Sequence, residues 1–292
     1  MRKNVALLVG GWSAERQVSL DKGKHVEAAL VEAGYNVTVV DVKKDLSYLE
    51  AALTPKPDAV FNNLYGRGGE DGTIQGLLEI MEIPYTHSGV KASAIGMDKP
   101  LTVKIAQSIG IQCAPHVVTS VEALVKGPAP MPQPYVIKPC CEGSSVGIRI
   151  IFEQENQLPL DAENWAFGEN LMVEKYIPGK ELTVAVLDGK AQGVTEIVSQ
   201  TRFFDYEAKY HATDTSYILP ANIPAVVDET AMENAEKIYR EIGCHGLARC
   251  DFRYDDSQNN KDGLYLLEIN TQPGLTAESI GPSQVVKKGM SF

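Results

Sequence analysis

Two segments late in the chain decide the fold, and they read GLARCDF at residues 246–252 and YLLEIN at residues 265–270. Each is a short apolar run that polar residues interrupt, which is typical of a β-strand. Successive side chains of a strand point to opposite faces, so Arg249 and Asp251 share one face. Glu268 and Asn270 have the same spacing in the second segment, so they also share one face. The sequence therefore predicts two strands that each carry a polar pair on one face.

If these two strands are neighbours, one face presents the side chains of Arg249, Asp251, Glu268 and Asn270. Two carboxylates and an amide oxygen, without sulfur or imidazole, form the kind of ligand set that Mg²⁺ prefers. The alternative is that Asp251 and Glu268 are surface residues on half-exposed strands. The alternative is weakened, though not removed, because these polar positions interrupt otherwise apolar strands.

A second group of polar residues follows an apolar strand at 135–138. Lys138 ends that strand, and the loop 139–147 contains two glycines and two serines. Free backbone N–H groups in such a loop can bind phosphate, and a lysine supplies compensating charge. The spacing is not that of a P-loop, and an ordinary turn is the alternative. Further on, the segment 174–177 and Glu181 have the pattern of a strand edge that could hold adenosine.

The first ninety residues alternate strand and helix patterns, which implies a parallel sheet with helices on both faces. The predicted strands are Val5–Val9, Val37–Val42 and Ala59–Asn62, and the predicted helices are Glu15–Ala33 and Thr73–Met81. In such sheets, ligands bind at the carboxyl ends of the strands. A new region begins near Met97, and a Pro-Gly pair at 178–179 marks a further break. We therefore expect three units, at residues 1–97, 98–178 and 179–292.

Composition limits the classes of function. The chain has 292 residues, 44% of them hydrophobic, and a formal net charge of −11. The negative charge argues against a nucleic-acid partner, and no apolar run approaches the roughly 18 to 20 residues of a membrane span. The five cysteines form no C-x-x-C pair, which fits reduced thiols and predicts a cytoplasmic protein.

Taken in order, these segments resemble the ATP-grasp superfamily, and within it the D-alanine–D-alanine ligase family. The resemblance covers nearly the whole chain. It rests on GGWSAER at 10–16, VSL at 18–20, GRGGEDG at 66–72, MDK at 97–99, KP at 138–139, EGSSVG at 142–147, FDYEAKY at 204–210, RxD at 249–251, ExNT at 268–271, PGLT at 273–276 and Ser279. It implies an α/β protein of ATP-grasp fold, in which an N-terminal parallel-sheet domain precedes two α+β domains that enclose the nucleotide.

The resemblance also implies an activity. ATP phosphorylates the carboxylate of one D-alanine, the amine of a second attacks the acyl phosphate, and the product serves peptidoglycan synthesis. The implied cofactors are ATP and two Mg²⁺ (or Mn²⁺) ions, which Asp251, Glu268 and Asn270 would hold. The implied partners are D-alanine and ATP, with neither nucleic acid nor membrane, and the protein is expected to be a homodimer.

Roles for individual residues follow from the same resemblance. Lys99 and Lys138 would contact the ATP phosphates. The residues that would hold or cover the adenosine are Glu174, Lys175, Ile177, Glu181, Phe203 and Lys209. Those expected to act on the amino acids are Glu15 for the first ammonium, Arg249 and the Gly274 amide for the oxyanion, and Ser279 for the second carboxylate. Tyr210 would belong to a lid and be linked to Ser144 and Glu15.

Two departures from the family pattern stand out. Tyr65 occupies a position where relatives often have histidine, and Cys140-Cys141 replaces a segment that usually carries small and basic residues. Nearby lysines and loop N–H groups would favour thiolate at these cysteines, whereas the alternative is that both are small, unreactive side chains.

Two other functions remain open: a ligase that joins D-alanine to D-lactate or D-serine, and a nucleotide-binding protein without catalysis. The dipeptide ligase is favoured because Tyr210 and the four polar strand residues are present together.

Overall fold

The structure is a computed structural model that describes residues 2–143, 146–152, 165–198 and 215–291. Within these ranges the strands form a parallel sheet near the N-terminus and two antiparallel sheets after it. Helices pack between and beside the sheets, so the protein is of the mixed α/β class that the sequence predicts. Among the described helices, not one has both the length and the apolar character needed to cross a membrane.

The first sheet has the order β2-β1-β3, with all strands parallel. Its strands are β1 (Asn4–Gly10), β2 (Asn36–Val42) and β3 (Ala59–Asn62), and the helices of this region are α1 (Arg16–Glu32), α2 (Leu46–Ala52), α3 (Thr73–Ile80) and α4 (Val90–Met97). The central strand β1 is buried on both faces: Leu8 packs in a cluster with Ile74 of α3, and Leu7 packs with Val26 of α1. Helices therefore cover both faces, as predicted.

The second sheet has the order β4-β7-β5-β6 and is antiparallel. Its strands are β4 (His116–Ser120), β5 (Tyr135–Pro139), β6 (Arg149–Ile151) and β7 (Asn170–Lys175), and the region also contains α5 (Lys99–Ser108) and α6 (Val121–Lys126). Side chains of β5 and β7, such as Ile137 and Val173, pack against Leu124 of α6. This small core fixes β5 and β7, and with them Lys138 and Glu174.

The third sheet has the order β10-β9-β8-β11-β12 and is also antiparallel. Its strands are β8 (Lys180–Leu187), β9 (Lys190–Val198), β10 (Ser216–Ile218), β11 (Leu247–Tyr254) and β12 (Leu264–Asn270), and α7 (Ala225–Ile242) and α8 (Ile280–Lys287) belong to the same region. Ala231, Ala235 and Ile238 of α7 are fully buried against this sheet at helical spacing.

One apolar cluster continues from this sheet to α5. Val103 and Ala106 of α5 are buried in the same core as Phe252 of β11 and Leu266 of β12. That core carries β11 and β12, whose polar faces the sequence singled out, and α5, which begins at Lys99. The division into residues 1–97, 98–178 and 179–292 remains a prediction.

Candidate active site

The polar faces of β11 and β12 meet as the sequence predicts. The two strands pair antiparallel, with Asp251 opposite Glu268 and Arg249 opposite Asn270. The register shifts directly after Asp251, so a bulge lies next to the polar cluster. The strand pairing thus brings the predicted ligands of the metal, Asp251, Glu268 and Asn270, onto neighbouring positions beside the predicted oxyanion residue Arg249.

Each of the two carboxylates is already engaged by a cation. Arg249 donates two hydrogen bonds to Asp251, from Nε to Oδ1 at 2.8 Å and from Nη2 to Oδ2 at 2.7 Å. Thr183 of β8 donates a third to Asp251 Oδ1 at 2.6 Å. The ammonium of Lys99 lies 3.3 Å from Glu268 Oε2. These contacts compensate negative charge that is mostly removed from solvent.

The donor set fits a hard divalent cation. Carboxylate and amide oxygens converge here, and Asn270 Oδ1 also accepts a hydrogen bond from the backbone N–H of Gln272 at 2.8 Å, which fixes the orientation of the amide. No group of three or more His, Cys, Asp or Glu side chains in the described ranges is placed to hold a metal ion. The predicted set contains only two carboxylates, which suits Mg²⁺ because that ion takes few protein ligands and completes its shell with phosphate and water oxygens.

A small cavity of about 60 Å³ lies on one side of Glu268, between β7 and the third sheet. Seven of the predicted site residues line it: Lys138, Glu174, Lys175, Ile177, Glu181, Asp251 and Glu268. The structure therefore brings the predicted nucleotide-binding residues of β5, β7 and β8 together with two of the predicted metal ligands.

Lys138 and Glu174 form a buried ion pair in the wall of this cavity. Their Nζ and Oε1 atoms are 2.6 Å apart, and the side chains are 5% and 7% exposed. Two such buried charges are tolerated only as a pair, because an unpaired buried charge is costly. β5 and β7 are direct neighbours in the sheet, which places both residues on one wall.

A larger cavity of about 350 Å³ lies on the other side of Glu268. The predicted site residues that line it are Glu15, Lys99, Arg249, Glu268, Asn270, Gly274 and Ser279. Glu268 lines both cavities, so its carboxylate lies between the predicted nucleotide site and the predicted amino-acid site. The positions of Asp251 and Glu268 would suit an ion shared between phosphate and carboxylate oxygens.

The region around Glu15 is acidic and tightly enclosed. Glu15 is the residue before the first turn of α1 and is buried, as is Glu70 nearby. Burial, with a further contribution from the Glu15 charge, raises the pKa of the Glu70 carboxyl well above its usual range. The backbone also approaches closely, since a Cβ on Gly66 would lie only 2.9 Å from Glu15 Oε1. An enclosed pair of carboxyl groups is a suitable binding site for a substrate ammonium.

Sequence reasoning gave no site role to several other residues that line the larger cavity: Lys22, Tyr65, Glu70, Glu142, Gly143 and Tyr217. Glu142 pairs with Arg67 at 3.2 Å, and its carbonyl oxygen accepts a hydrogen bond from Lys99. Glu70 and Glu142 belong to the family motifs quoted above, and their acidic character was the available signal. Nothing in the sequence pattern separates Lys22 from Lys24, the exposed lysine of the same helix.

Four predicted site residues lie outside the described ranges: Ser144, Phe203, Lys209 and Tyr210. Their roles, including the lid, rest on the sequence resemblance.

The two adjacent cysteines do not match the hypothesis of reactive thiolates. Burial raises the pKa of the Cys140 thiol to about 11 and also raises that of Cys141. The charges of Lys99 and Lys138 lower the pKa of Cys140, but burial raises it by more. The alternative interpretation, small and inert side chains, is the one that the surroundings of these cysteines favour.

Comparison with known proteins identifies the family. Residues 105–292 match the family model described as D-ala D-ala ligase C-terminus. A D-alanine–D-alanine ligase of Rhodospirillum rubrum is 47% identical, with 100% of this chain and 95% of that protein covered. A D-alanine–D-alanine ligase of Acidiphilium cryptum is 49% identical, with 99% of this chain and 95% of that protein covered.

Solved structures give the same result. The D-alanine–D-alanine ligase of Bacillus anthracis superimposes with a TM-score of 0.82 at 29% identity, covering 99% of this chain and 93% of that one. Its complex with ATP gives a TM-score of 0.81, with the same coverage of both chains. The VanG D-Ala:D-Ser ligase of Enterococcus faecalis gives a TM-score of 0.78, with 100% of this chain and 96% of that one covered. By fold and sequence, this chain belongs to the D-alanine–D-alanine ligase family of ATP-grasp enzymes.

Proposed function

We propose that this protein is an ADP-forming ligase that joins two D-alanine molecules into D-alanyl-D-alanine, for peptidoglycan synthesis. The observation that carries the proposal is the position of Glu268, which lines both the cavity of the predicted nucleotide residues and the cavity of the predicted amino-acid residues. Transfer of a phosphoryl group from ATP to a carboxylate requires such a junction. Relatives about 47% identical over the whole chain carry the same activity in their names.

The nucleotide would bind between β7 and the third sheet. Lys175 and Ile177 would border the adenine, Glu181 the ribose, and Lys138 the phosphates. Glu174 holds Lys138 in place through the buried ion pair. Lys99 lies on the opposite side, beside Glu268, where it would meet the terminal phosphates. Divalent ions bound at Asp251, Glu268 and Asn270 would neutralise charge on the phosphoryl group during transfer.

The first D-alanine would bind with its ammonium at Glu15, inside the acidic enclosure. Its carboxylate would then point toward Arg249 and the junction at Glu268. A carboxylate oxygen attacks the γ-phosphorus, ADP leaves, and an acyl phosphate forms. The amine of the second D-alanine attacks the acyl carbon, and the Arg249 guanidinium and the Gly274 N–H stabilise the oxyanion that develops. Phosphate then leaves with the oxygen that the carboxylate supplied.

The lid assignment belongs to the same proposal. Tyr210, with Lys209 and Phe203, would close over the site and exclude water, because an exposed acyl phosphate would be hydrolysed. Ser144 would link Tyr210 to Glu15. Binding of two Mg²⁺ (or Mn²⁺) ions, a homodimeric assembly and a cytoplasmic location are further parts of the proposal that rest on the resemblance.

The direct test is incubation of the purified protein with Mg-ATP and D-alanine, with the product identified by mass. D-Alanyl-D-alanine together with an equal amount of ADP supports the proposal. Parallel reactions offer D-serine or D-lactate beside D-alanine, because one structural neighbour is a D-Ala:D-Ser ligase. A mixed product made in preference to the dipeptide would reassign the acceptor. If ATP binds but no amino acid stimulates its turnover, the protein is a nucleotide-binding protein without ligase activity.

A further inference from the structure

Lys22 is a cavity residue to which the proposed reaction gives no role. It lies on the face of α1 that also carries the buried Ser19 and Val26, and it lines the larger cavity together with Glu15. Glu15 and Lys22 are two helical turns apart, a separation of roughly 10 Å along the axis. A carboxylate and an ammonium therefore enter one cavity from the same helix. A bound pair of amino acids presents the complementary charges, an ammonium at one end and a carboxylate at the other.

The ring of Tyr65 supports the ammonium of Lys22. Lys22 Nζ lies 5.3 Å from the ring centroid, within the range of a cation–π interaction. Tyr65 is itself buried, and its hydroxyl donates a hydrogen bond to Asn63 Oδ1 at 3.2 Å. Asn63 Nδ2 in turn donates to the carbonyl oxygen of Ser19, one turn before Lys22. The residue that departs from the family pattern at position 65 is thus connected to α1 and to the lysine.

Because Gly274 has no side chain, the ammonium of Lys22 can lie beside it. A Cβ built at position 274 would lie 2.7 Å from Lys22 Nζ, which is closer than real contacts allow, and 3.4 Å from Ser279 Oγ. The φ angle of Gly274 is outside the left-handed region, so the backbone conformation does not itself require glycine. The missing side chain instead allows the ammonium to approach the backbone at position 274, close to the hydroxyl of Ser279.

The Ser279 hydroxyl is oriented for the same region. The Thr276 N–H donates a hydrogen bond to Ser279 Oγ at 3.1 Å, so the hydroxyl oxygen is held in the turn that precedes α8. Two other cations that line the cavity, Lys99 and Arg249, contact the carboxylates of the metal face. Lys22 places positive charge in this cavity beside Gly274 and Ser279.

We propose that Lys22 binds the α-carboxylate of the acceptor amino acid, together with Ser279, and that the Tyr65 ring holds the ammonium in position. The inference rests on the proposed ligase function and adds to it a residue that determines acceptor specificity. An acceptor without a negative charge at this position would lose the interaction with Lys22. A hydrogen bond between two charged groups in a partly enclosed site contributes appreciably to affinity.

The test compares Lys22→Met with Lys24→Met. Lys24 lies on the same helix but is exposed and pairs with Asp21 at 3.0 Å, so its substitution is a matched control. Dipeptide formation by the wild-type protein is measured first, since its absence would refute the proposed function rather than the role of Lys22. The rate is then measured against D-alanine concentration, which yields separate half-saturation constants for donor and acceptor. D-Alaninamide, which lacks the carboxylate, is tested both as an alternative acceptor and as an inhibitor against D-alanine.

For Lys22→Met we expect the acceptor constant for D-alanine to rise by roughly 10- to 100-fold. The constants for ATP and for the donor should change little, and the interaction with D-alaninamide should equal that of the wild type. Lys24→Met should match the wild type throughout. An equal loss with D-alanine and with the amide, or no loss with either, would overturn the proposal. If Lys22→Met does not fold, Lys22→Gln gives the same comparison, and Tyr65→Leu should reproduce a smaller rise in the acceptor constant.

Discussion

Asp251 and Glu268 lie directly opposite each other on β11 and β12, and both line the smaller cavity while Glu268 also lines the larger one. This cross-strand pair therefore marks the place where the two cavities meet. Arg249 and Lys99 neutralise the two carboxylates in the structure, and both cations also line the larger cavity. In the proposed reaction, the phosphoryl group would be transferred beside this pair.

The first prediction concerns this junction. Glu268→Gln should lower kcat by at least about 10²- to 10³-fold, because a neutral amide cannot offset the charge of divalent ions bound beside Asp251. Unfolding by denaturant should be nearly unchanged, since the side chain is partly exposed and packs at a cavity wall. Binding of Mn²⁺, followed by its paramagnetic signal, should weaken in parallel. Glu229→Gln on the exposed surface of α7 is the control, and near-wild-type turnover of Glu268→Gln would remove Glu268 from the metal site.

The second prediction concerns the buried pair of Lys138 and Glu174. Lys138→Met leaves the Glu174 carboxylate buried without its partner, which should lower the free energy of unfolding by about 3–5 kcal/mol. The double variant Lys138→Met, Glu174→Leu should recover most of that loss, because no unpaired charge remains.

Nucleotide affinity separates the two roles of this lysine. If Lys138 contacts phosphate and Glu174 the adenosine, ATP binding should remain weak in the double variant even though its stability is restored. Denaturant unfolding and titration with ATP provide the two measurements. A double variant as unstable as the single one would contradict the account of the ion pair, and wild-type ATP affinity in it would contradict the phosphate contact.

The fold could be predicted largely where hydrophobic pattern and strand pairing reinforce each other. The strand Ala59–Asn62 appears at the predicted bounds, and β2 begins one residue before the predicted Val37. The shared polar face of β11 and β12 also followed from the period of two along a strand, and the register confirms it. These features depend on local backbone geometry, which sequence spacing reports directly.

Other elements have weak local signals. Helix α4 (Val90–Met97) was not predicted because it is short and most of its residues are small or apolar, with little amphipathic contrast. Helix α8 contains Gly281 and Pro282 in its first turn, where proline is tolerated although it resembles a break in the sequence. Tertiary packing decides both helices.

The site residues also differ in whether the local sequence pattern reveals them. The carboxylates of β11 and β12 could be predicted from the sequence, whereas Lys22 could not. Lys22 and Lys24 differ by two positions on one helix, and the distant Tyr65 and Gly274 contribute to the environment of Lys22. Side chains that acquire a role through contacts between distant segments leave no periodic signal in a single sequence.

The third prediction concerns Cys140 and Cys141. Because burial raises the pKa of Cys140 to about 11, its thiol remains protonated at neutral pH, and alkylation by iodoacetamide should be slow at pH 7.5. The rate should increase as the pH rises toward about 11, where thiolate forms. Peptide mass spectrometry of the alkylated protein measures each site separately.

A double variant tests whether these thiols matter for activity. Cys140→Ser, Cys141→Ser should retain close to wild-type turnover, since neither sulfur is expected to act as a nucleophile. Rapid alkylation of either cysteine at pH 7, slowed by saturating Mg-ATP, would show instead that the phosphate-loop environment stabilises thiolate.

The central claim is that the first D-alanine is activated by phosphorylation of its own carboxylate. D-Alanine labelled with ¹⁸O in the carboxylate is incubated with Mg-ATP and the protein, and the phosphate released is analysed by mass spectrometry. The account predicts one ¹⁸O atom in each phosphate, in amounts equal to the D-alanyl-D-alanine formed, because the carboxylate oxygen that attacks the γ-phosphorus departs with it. Phosphate without ¹⁸O, alongside dipeptide formation, would contradict the acyl-phosphate route and with it the role assigned to the junction at Asp251 and Glu268.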